Sequence, residues 1–196
     1  MLEKYFKTVI EQDFAVAYLR LLGEMYFKKI TVTKLVETAG YGRATFYAYF
    51  KCLRDMRTKL QVIDLNTTEA IFSKVLRFAD EEERKRIVRE YLTEHMRFFW
   101  PLLYENNLPQ HAVDMKERIK KVTHPEFARR FYGDTFETAF AEDFCISGTL
   151  KMLVSYFSKN GDMIVPKDDE ELVKIMYKII FQTDRKIVAE KFGGIG

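Results

Sequence analysis

Side chains suited to contact with a polyanion are concentrated in one segment of the 196-residue chain, between Thr38 and Asp55. Guanidinium, ammonium and hydroxyl groups are the ones that proteins place against phosphate oxygens. The segment contains no acidic residue, and its basic and hydroxyl side chains include Arg43, Lys51, Arg54, Thr45, Tyr47 and Tyr49. Its composition therefore suits a nucleic-acid backbone.

The net charge of the chain points to the same region. The chain carries a net charge of +3, from 32 basic and 29 acidic residues, which excludes a polybasic protein. Residues 1–56 hold nine Lys and Arg and six Asp and Glu, whereas residues 57–196 hold 23 of each kind. The whole positive excess therefore lies in the part of the chain that contains the phosphate-suited segment.

The other residue types that could do chemistry form no pattern typical of a catalytic or metal site. His95, His111 and His124 are scattered, with no cysteine near them in sequence, so we expect surface or capping histidines. Cys52 and Cys145 cannot form a disulfide framework or a zinc site by themselves, and they favour a reducing compartment. The sequence thus predicts a protein that is not an enzyme and needs no cofactor or metal.

The elements that must position these side chains are predicted to be helices. Proline is absent before Pro101, and glycine is sparse, which removes the usual signals of turns and breaks. We therefore expect an all-α fold without strands. Apolar periodicity and capping residues predict helices over 3–24, 32–38, 43–49, 51–78, 81–104 and 109–121, a further helix starting at His124-Pro125, and helices over 134–159 and 168–191.

Two short helices around a tight turn lie at the centre of the phosphate-suited segment. Thr31 is a good N-cap for the first of them, and Gly40 can take a positive φ in the turn that follows. This arrangement is typical of a helix-turn-helix, in which the first helix braces the second in the major groove of DNA. Such helix pairs are common in helical proteins, so the spacing alone leaves DNA binding and ordinary packing both open.

The residues themselves resemble the DNA-binding signature of the tetracycline-repressor-like (TetR) regulators. The resemblance covers about residues 6–56 and is most specific at Ala39-Gly40, Thr45-Phe46-Tyr47 and Tyr49-Phe50. It implies an all-α fold with a three-helix, helix-turn-helix DNA-binding domain over residues 1–50. A larger helical domain over residues 51–196, which matches in layout only, would bind an effector and dimerise.

The resemblance also implies which side chains would contact DNA. Arg43, Ala44 and Thr45 would face base edges, where a guanidinium can bind guanine O6 and N7 and a methyl group can contact thymine. Phosphates would be bound by Thr31, Thr33, Tyr47, Tyr49 and Lys51. For Tyr47 and Tyr49, packing against neighbouring residues is the alternative interpretation.

The segment departs from the family pattern in three ways. Gly42 stands where the family usually has a serine, and Tyr41 stands where a valine is common. The usual Ser-Lys pair is replaced by Cys52-Leu53, so a common phosphate-binding lysine is missing. Lys51 or Arg54 could take over its role. These departures bear on DNA affinity and operator sequence more than on the fold.

The rest of the chain is expected to bind an effector and a second copy of itself. Its aromatic residues could line a cavity for an apolar or planar ligand, cationic ones included, or could simply fill the core. The candidate ligand-binding residues are Phe98, Trp100, Tyr104, Phe127 and Phe131. The candidate dimer-interface residues, which could instead pack within one copy, are Phe144, Gly148, Met152, Leu172, Ile175 and Ile179.

Taken together, these features predict a cytoplasmic, homodimeric repressor of the TetR type. It would bind a near-palindromic double-stranded operator and be released by a small-molecule effector. No apolar run reaches the roughly 18 to 20 residues of a membrane helix, so no membrane partner is expected. The alternative is a helical ligand-binding or co-activator protein that kept the scaffold but lost specific DNA binding, and the absence of lysine at Leu53 favours it.

Overall fold

The computed structural model describes residues 2–77, 80–104, 108–131, 133–159 and 173–174. Every regular element in these ranges is helical, which confirms the all-α class. The α-helices are α1 (Val9–Glu24), α2 (Val32–Ala39), α3 (Arg43–Tyr49), α4 (Leu53–Arg77), α5 (Glu81–Glu90), α6 (Arg97–Phe99), α7 (Pro109–Arg130) and α8 (Phe136–Lys159). Among the described helices, none is both long enough and apolar enough to cross a membrane.

Shorter helical turns connect several of these helices. The chain begins with a 3-10 turn over Leu2–Tyr5, and a second one, Phe27–Lys29, lies between α1 and α2. A π-helical turn over Tyr91–Met96 joins α5 to α6, and a 3-10 turn over Trp100–Leu103 follows α6. The predicted final helix over 168–191 lies outside the described residues, apart from Val173 and its neighbour.

The first long helix begins at Val9, so the prediction of a helix from residue 3 is wrong at its start. Thr8 caps α1, and its Oγ1 accepts a hydrogen bond from the backbone N–H of Glu11 at 3.2 Å. The carboxylate of Glu11 reaches back and accepts from the backbone N–H of Lys7 at 3.0 Å. This exchange resembles a capping box, and it fixes the helix start at Thr8.

The predicted continuous helix over 81–104 is interrupted after Glu90. The π-helical turn places Tyr91, Leu92, His95 and Met96 all in the buried interior. Farther on, Pro101 has no N–H to donate and its ring crowds the preceding turn, so the chain tightens into a 3-10 turn. Burial and proline chemistry together explain why the helix is not regular here.

One helix, α7, replaces the two helices predicted on either side of His124. Pro125 lies inside α7, where a proline normally breaks the backbone hydrogen-bond ladder. The side chains of Thr123 and His124 both bond to Glu142 of α8, at 2.8 Å and 2.9 Å. These tertiary hydrogen bonds, of which the Thr123 bond is buried, hold the chain helical across the proline.

Two large apolar clusters make up most of the core. The amino-terminal cluster joins α1, α2, α3 and the start of α4, and it also includes Phe99, Leu102 and Leu108 from later in the chain. The carboxy-terminal cluster lies between α4, α5, α7 and α8, and Val173 packs into it. Helix α4 contributes to both clusters, so it connects the two parts of the molecule. The division of the chain at residue 50 stays a prediction.

Two of the three histidines are buried, so the prediction of surface histidines is wrong for them. His95 and His111 are each 1% exposed, and both bond to Asp64 of α4, which is fully buried. Buried polar groups are stable when they pair with one another in this way. His124 is partly exposed and bonds to Glu142. Within the described ranges, no group of three or more ligand-type side chains could hold a metal ion.

The turn after α2 offers a test of backbone strain. Gly40 has φ +76°, and a Cβ atom added there would meet nothing within 4 Å. We expect Gly40→Ala to lower the free energy of unfolding by about 1 kcal/mol through strain alone. Gly42, at φ −87°, also has open space around it, so Gly42→Ala should change stability by less than about 0.5 kcal/mol. Urea unfolding of both variants measures this difference, and equal losses would contradict it.

Candidate nucleic-acid interface

Helices α2 and α3 meet at a turn whose hydrogen bonds close the end of α2. The backbone N–H of Tyr41 donates to the carbonyl of Val36 at 2.9 Å, and Gly40 adopts the left-handed conformation that this closure requires. Helix α2 buries Leu35 and Val36 against the amino-terminal cluster. The turn therefore sets the angle at which α3 leaves the body of the protein.

A contact between aromatic rings anchors α3 to α1. Phe46 is fully buried, and its ring meets Phe14 of α1 edge to face at 5.5 Å between centroids. Phe50 stacks on Phe46 at 5.6 Å and also meets Phe14 at 6.2 Å. Phe46 and Phe50 pack against Phe14 of α1 on the inner side of α3. The opposite side of α3 therefore faces solvent.

The outer side of α3 carries the predicted base-contacting residues. Arg43, Ala44 and Tyr47 are exposed, and Thr45 and Tyr49 are half-buried. Residues three and four positions apart share one side of a helix, so Arg43, Ala44 and Tyr47 lie along the same surface. The structure thus places Arg43 and Ala44 at the start of the exposed side and Tyr47 one turn later.

Two of the predicted phosphate-binding residues lie at the start of α2. Thr31 and Thr33 are both exposed. The Oγ1 of Thr31 accepts a hydrogen bond from the backbone N–H of Lys34 at 3.2 Å, which confirms the predicted N-cap. This bond uses only the oxygen of the hydroxyl, so its proton can still be donated to another acceptor.

The connection between α3 and α4 contains Leu53, the residue that stands where the family commonly has a phosphate-binding lysine. Leu53 is half-buried against the amino-terminal cluster and serves packing. Lys51, Cys52 and Arg54 are exposed around it. The backbone N–H of Lys51 donates to Asp55 at 3.1 Å, which orders the start of α4 while the side chain of Lys51 extends outward.

The unusual tyrosine in the turn also has a structural explanation. The hydroxyl of Tyr41 donates a hydrogen bond to Asp13 of α1 at 2.7 Å, and its ring packs against Phe14 at 5.2 Å. The hydrogen bond to Asp13 raises the pKa of Tyr41 above its ordinary value. Tyr41 therefore fastens the turn to α1, a role that the usual valine could not perform.

A second connection ties α1 to α4. The ammonium group of Lys59 donates to the carboxylate of Glu11 at 2.7 Å, and it also lies over the rings of Phe6 and Phe50. Burial raises the pKa of Glu11, but the bond to Lys59 and backbone donors outweigh it, so the pKa lies below its ordinary value. These contacts hold α1 and the end of α3 to the long helix α4.

The structure spreads the candidate ligand-binding residues over several places. Phe127 lines a small apolar cavity, and Phe131 packs beside it in a minor cluster with Ala141 and Cys145. Phe98 packs against the amino-terminal cluster, Trp100 lies against Gly23 of α1, and Tyr104 is exposed. The residues that line the cavity are Phe72, Tyr91, Ile119, Thr123, Phe127, Cys145, Ile146, Thr149, Leu150 and Leu153.

The sequence analysis looked for cavity residues among the aromatic side chains, and most of the residues that line the cavity are not aromatic. Eight of them come from α7 and α8 at spacings of three and four residues, such as Ile119, Thr123 and Phe127. This periodicity is visible in the sequence, and it identifies the inward side of each helix. It cannot tell which part of that side borders empty space.

An exposed row of phenylalanines runs along α8. Phe136, Phe140 and Phe144 are 84%, 63% and 65% exposed, and neighbouring rings stack at 6.3 Å and 6.4 Å. Gly148 continues the row at the same spacing, with open space where its side chain would be, and Met152 follows half-buried. Phe136 and Phe140 were not among the predicted interface residues. Leu172, Ile175 and Ile179 lie outside the described residues.

Comparisons with known proteins add little to this geometry. No protein-family model matches the chain, and a search of curated proteins finds no match. A solved structure titled "Dihydroxyacetone kinase operon activator DhaS" is similar over 90% of this chain and 98% of that chain. The two share 14% sequence identity and a TM-score of 0.46. At this distance the likeness carries no functional argument, so function is inferred from the geometry.

The hydrogen bond that fastens the turn can be tested without DNA. We expect Tyr41→Phe to lower the free energy of unfolding by about 1 kcal/mol, because it leaves the carboxylate of Asp13 without its donor. Tyr47→Phe removes an exposed hydroxyl from the same short motif and should change stability very little. Urea unfolding measures both variants. Equal effects of the two substitutions would show that Tyr41 and Asp13 contribute no specific bond.

Proposed function

We propose that this protein is a DNA-binding transcription regulator of the TetR type, most simply a repressor that a small molecule releases from its operator. The observation that carries the proposal is the outer side of α3. There Arg43, Ala44 and Tyr47 are exposed on a short helix that Phe46 anchors from behind. A helix of this length, braced by α2 and free of acidic residues, suits the major groove.

In the proposed complex, residues at the start of α3 contact DNA bases, and residues around them contact the DNA phosphates. Arg43 would bind guanine O6 and N7 with its two-pronged guanidinium, and the methyl group of Ala44 would contact a thymine methyl. Thr45, half-buried at the next position, would contact a base edge at the margin of the surface. Hydroxyl and ammonium groups would bind phosphates from both sides: Thr31, Thr33, Tyr47, Tyr49 and Lys51.

The proposed regulator acts as a homodimer joined through α8. The stacked rings of Phe136, Phe140 and Phe144 form a continuous apolar surface in water, and such surfaces commonly mark association sites. Gly148 has no side chain, so two copies of α8 could approach closely there. A twofold pair would present two α3 helices to successive major grooves and would favour a near-palindromic operator.

The cavity supports a neutral, apolar effector. Its free volume is about 10 Å³, room for about one water molecule, so an effector would have to widen it. The hydroxyl groups along its wall already have partners: Tyr91 bonds to Thr68, and Thr149 donates to the carbonyl of Cys145. Widening this space between α4, α7 and α8 would favour a form of the dimer with different α3 spacing.

One observation favours a second candidate function. Leu53 packs against the amino-terminal cluster and cannot supply the phosphate-binding ammonium that its counterpart provides in the family. The alternative is therefore a helical ligand-binding or co-activator protein that has lost specific DNA binding. Selection of bound fragments from genomic DNA at controlled salt distinguishes the two, because only a sequence-specific regulator enriches a common site.

Base recognition by α3 is tested with variants of the enriched operator. We expect Arg43→Ala to weaken binding by about 1 to 3 kcal/mol and to relax specificity at one base pair per half-site. Tyr47→Phe should weaken all sequences about equally, since a phosphate contact carries no base information. Arg77→Ala is the charge-matched control, because this exposed arginine lies at the end of α4 that is far from α3. Fluorescence anisotropy measures the affinities, and a loss with Arg77→Ala as large as with Arg43→Ala would contradict the proposal.

The proposed dimer is tested by placing a charge in the phenylalanine row. Phe140→Glu should raise the dimer dissociation constant by about 100-fold or more, since each copy loses a large buried apolar side chain and gains a buried charge. Val113→Glu changes a comparably exposed apolar residue on α7 and should leave association unchanged. Sedimentation velocity over a range of concentrations measures both. Unaltered association of Phe140→Glu would exclude α8 as the interface.

A further inference from the structure

Two neighbouring lysines lie on the 3-10 turn between α1 and α2, outside the residues that are proposed to contact DNA. Lys28 and Lys29 are both exposed on this turn, which spans Phe27–Lys29. Thr31, the N-cap of α2, follows two residues after Lys29. Two residues of chain span at most about 7 Å, so Lys29 lies close to a residue that the proposed function assigns to a phosphate. We call Lys28 and Lys29 the turn lysines.

Contacts with aromatic rings hold the turn against the rest of the protein. Phe27 is half-buried against the amino-terminal cluster, and the guanidinium of Arg57 on α4 lies 4.9 Å from the centre of its ring. The ammonium of Lys28 lies 6.0 Å from the centre of the same ring and 5.9 Å from that of Tyr26. Cation–π contacts at an exposed site are weak, so this ammonium stays available to an anion.

The positive charge around the turn is not neutralised by carboxylates of the protein. Residues 26–57 include seven basic and two acidic residues. In the part of the chain that the structure describes, none of these basic side chains forms an ion pair: Lys28, Lys29, Lys34, Arg43, Lys51, Arg54 and Arg57. The acidic residue that precedes the turn most closely in sequence, Glu24, is paired with Arg20 at 3.0 Å.

Basic side chains on α7 have the opposite surroundings. Lys116 and Lys120 lie 3.3 Å and 3.5 Å from the carboxylate of Asp143, and Arg118 lies 3.0 Å from that of Glu69. Clustered charges of one sign create a potential that attracts a partner of the other sign. The segment around the turn therefore suits a polyanion, whereas the charges of α7 are already balanced by neighbouring helices.

We propose that the turn lysines are a second backbone-binding site, in which Lys28 and Lys29 each bind a phosphate of the operator beside the α3 contact. This inference rests on the proposed function, since it takes α3 to lie in the major groove. A DNA strand that passes the start of α2 meets Thr31 and then the turn lysines. Ammonium groups bind phosphates without contacting base edges, so the site adds affinity and leaves sequence preference to α3.

The salt dependence of binding tests how many phosphates the turn lysines neutralise. The full chain is titrated, at several salt concentrations, with a duplex that carries the site enriched from genomic DNA. Each lost phosphate contact lowers the slope of log affinity against log salt concentration by about 0.9. Lys28→Gln combined with Lys29→Gln should therefore lower the slope by about 1.8 for each bound copy and weaken all sequences alike.

Lys74→Gln combined with Arg77→Gln is the matched control. Both residues are exposed near the far end of α4, about 30 Å of helix from its start. This distance exceeds the Debye length of about 10 Å at 0.1 M salt. The control removes the same charge as the double lysine variant and should change the slope by less than about 0.3. An equal fall in both double variants would reveal a general charge effect and overturn the site.

Neutral phosphate analogues test whether the contact is direct. Methylphosphonate groups, placed one at a time along the duplex, each remove a single backbone charge. With the wild-type chain, replacement at a contacted phosphate should weaken binding by about fivefold. With Lys29→Gln, the same replacement should cost less than about twofold, because its partner is already absent. Costs that agree between the two proteins at every position would refute a direct contact.

The outcomes for the turn lysines and for the proposed function can be told apart. If selection enriches no DNA site and the chain binds no duplex, the proposed function and this site are both overturned. If an operator is bound and Arg43→Ala relaxes its specificity while the double lysine variant keeps the full slope, only the turn lysines are overturned. Because both lysines are exposed, their double variant should keep the urea unfolding midpoint of the wild-type chain.

Discussion

The contact between Phe14 and Phe46 is the constraint on which the exposed surface of α3 depends. Phe46 is the one residue of α3 whose side chain is fully buried, and it meets a ring that α1 presents from the centre of its apolar side. Seven residues of helix are too few to be stable alone, so tertiary packing must supply their order. Tyr41 and Phe50 pack around the same ring and complete the anchor.

Helix α4 belongs to both apolar clusters and so connects the amino-terminal cluster to the carboxy-terminal one. Its first half, through Met56 and Leu60, belongs to the amino-terminal cluster, and its second half, through Leu65 and Phe72, belongs to the carboxy-terminal one. The residues after α5 add a second connection, since Phe99 packs with α1. The carboxy-terminal cluster is therefore joined to α1 by two packed connections, and both consist of side chains that form the core.

Local signals in the sequence predicted the short helices α2 and α3 and the turn between them. Long-range contacts account for the features that the sequence analysis missed. Thr31 and Gly40 act through bonds within a few residues, so their roles as cap and turn follow from residue type. Pro125 stays helical because Glu142, far along the chain, bonds to its neighbours. His95 is buried because Asp64, 31 residues earlier, forms a hydrogen bond with its ring. A single sequence carries no record of such pairings.

The phenylalanine row on α8 has a thermal consequence. Three largely exposed benzyl groups hold a shell of water whose release carries a large heat-capacity change, and the resulting attraction weakens on cooling. Any assembly held mainly by Phe136, Phe140 and Phe144 would therefore loosen in the cold and tighten on warming toward physiological temperature. A protein joined in this way is best handled warm, and chilling would be a gentle means of separating its copies.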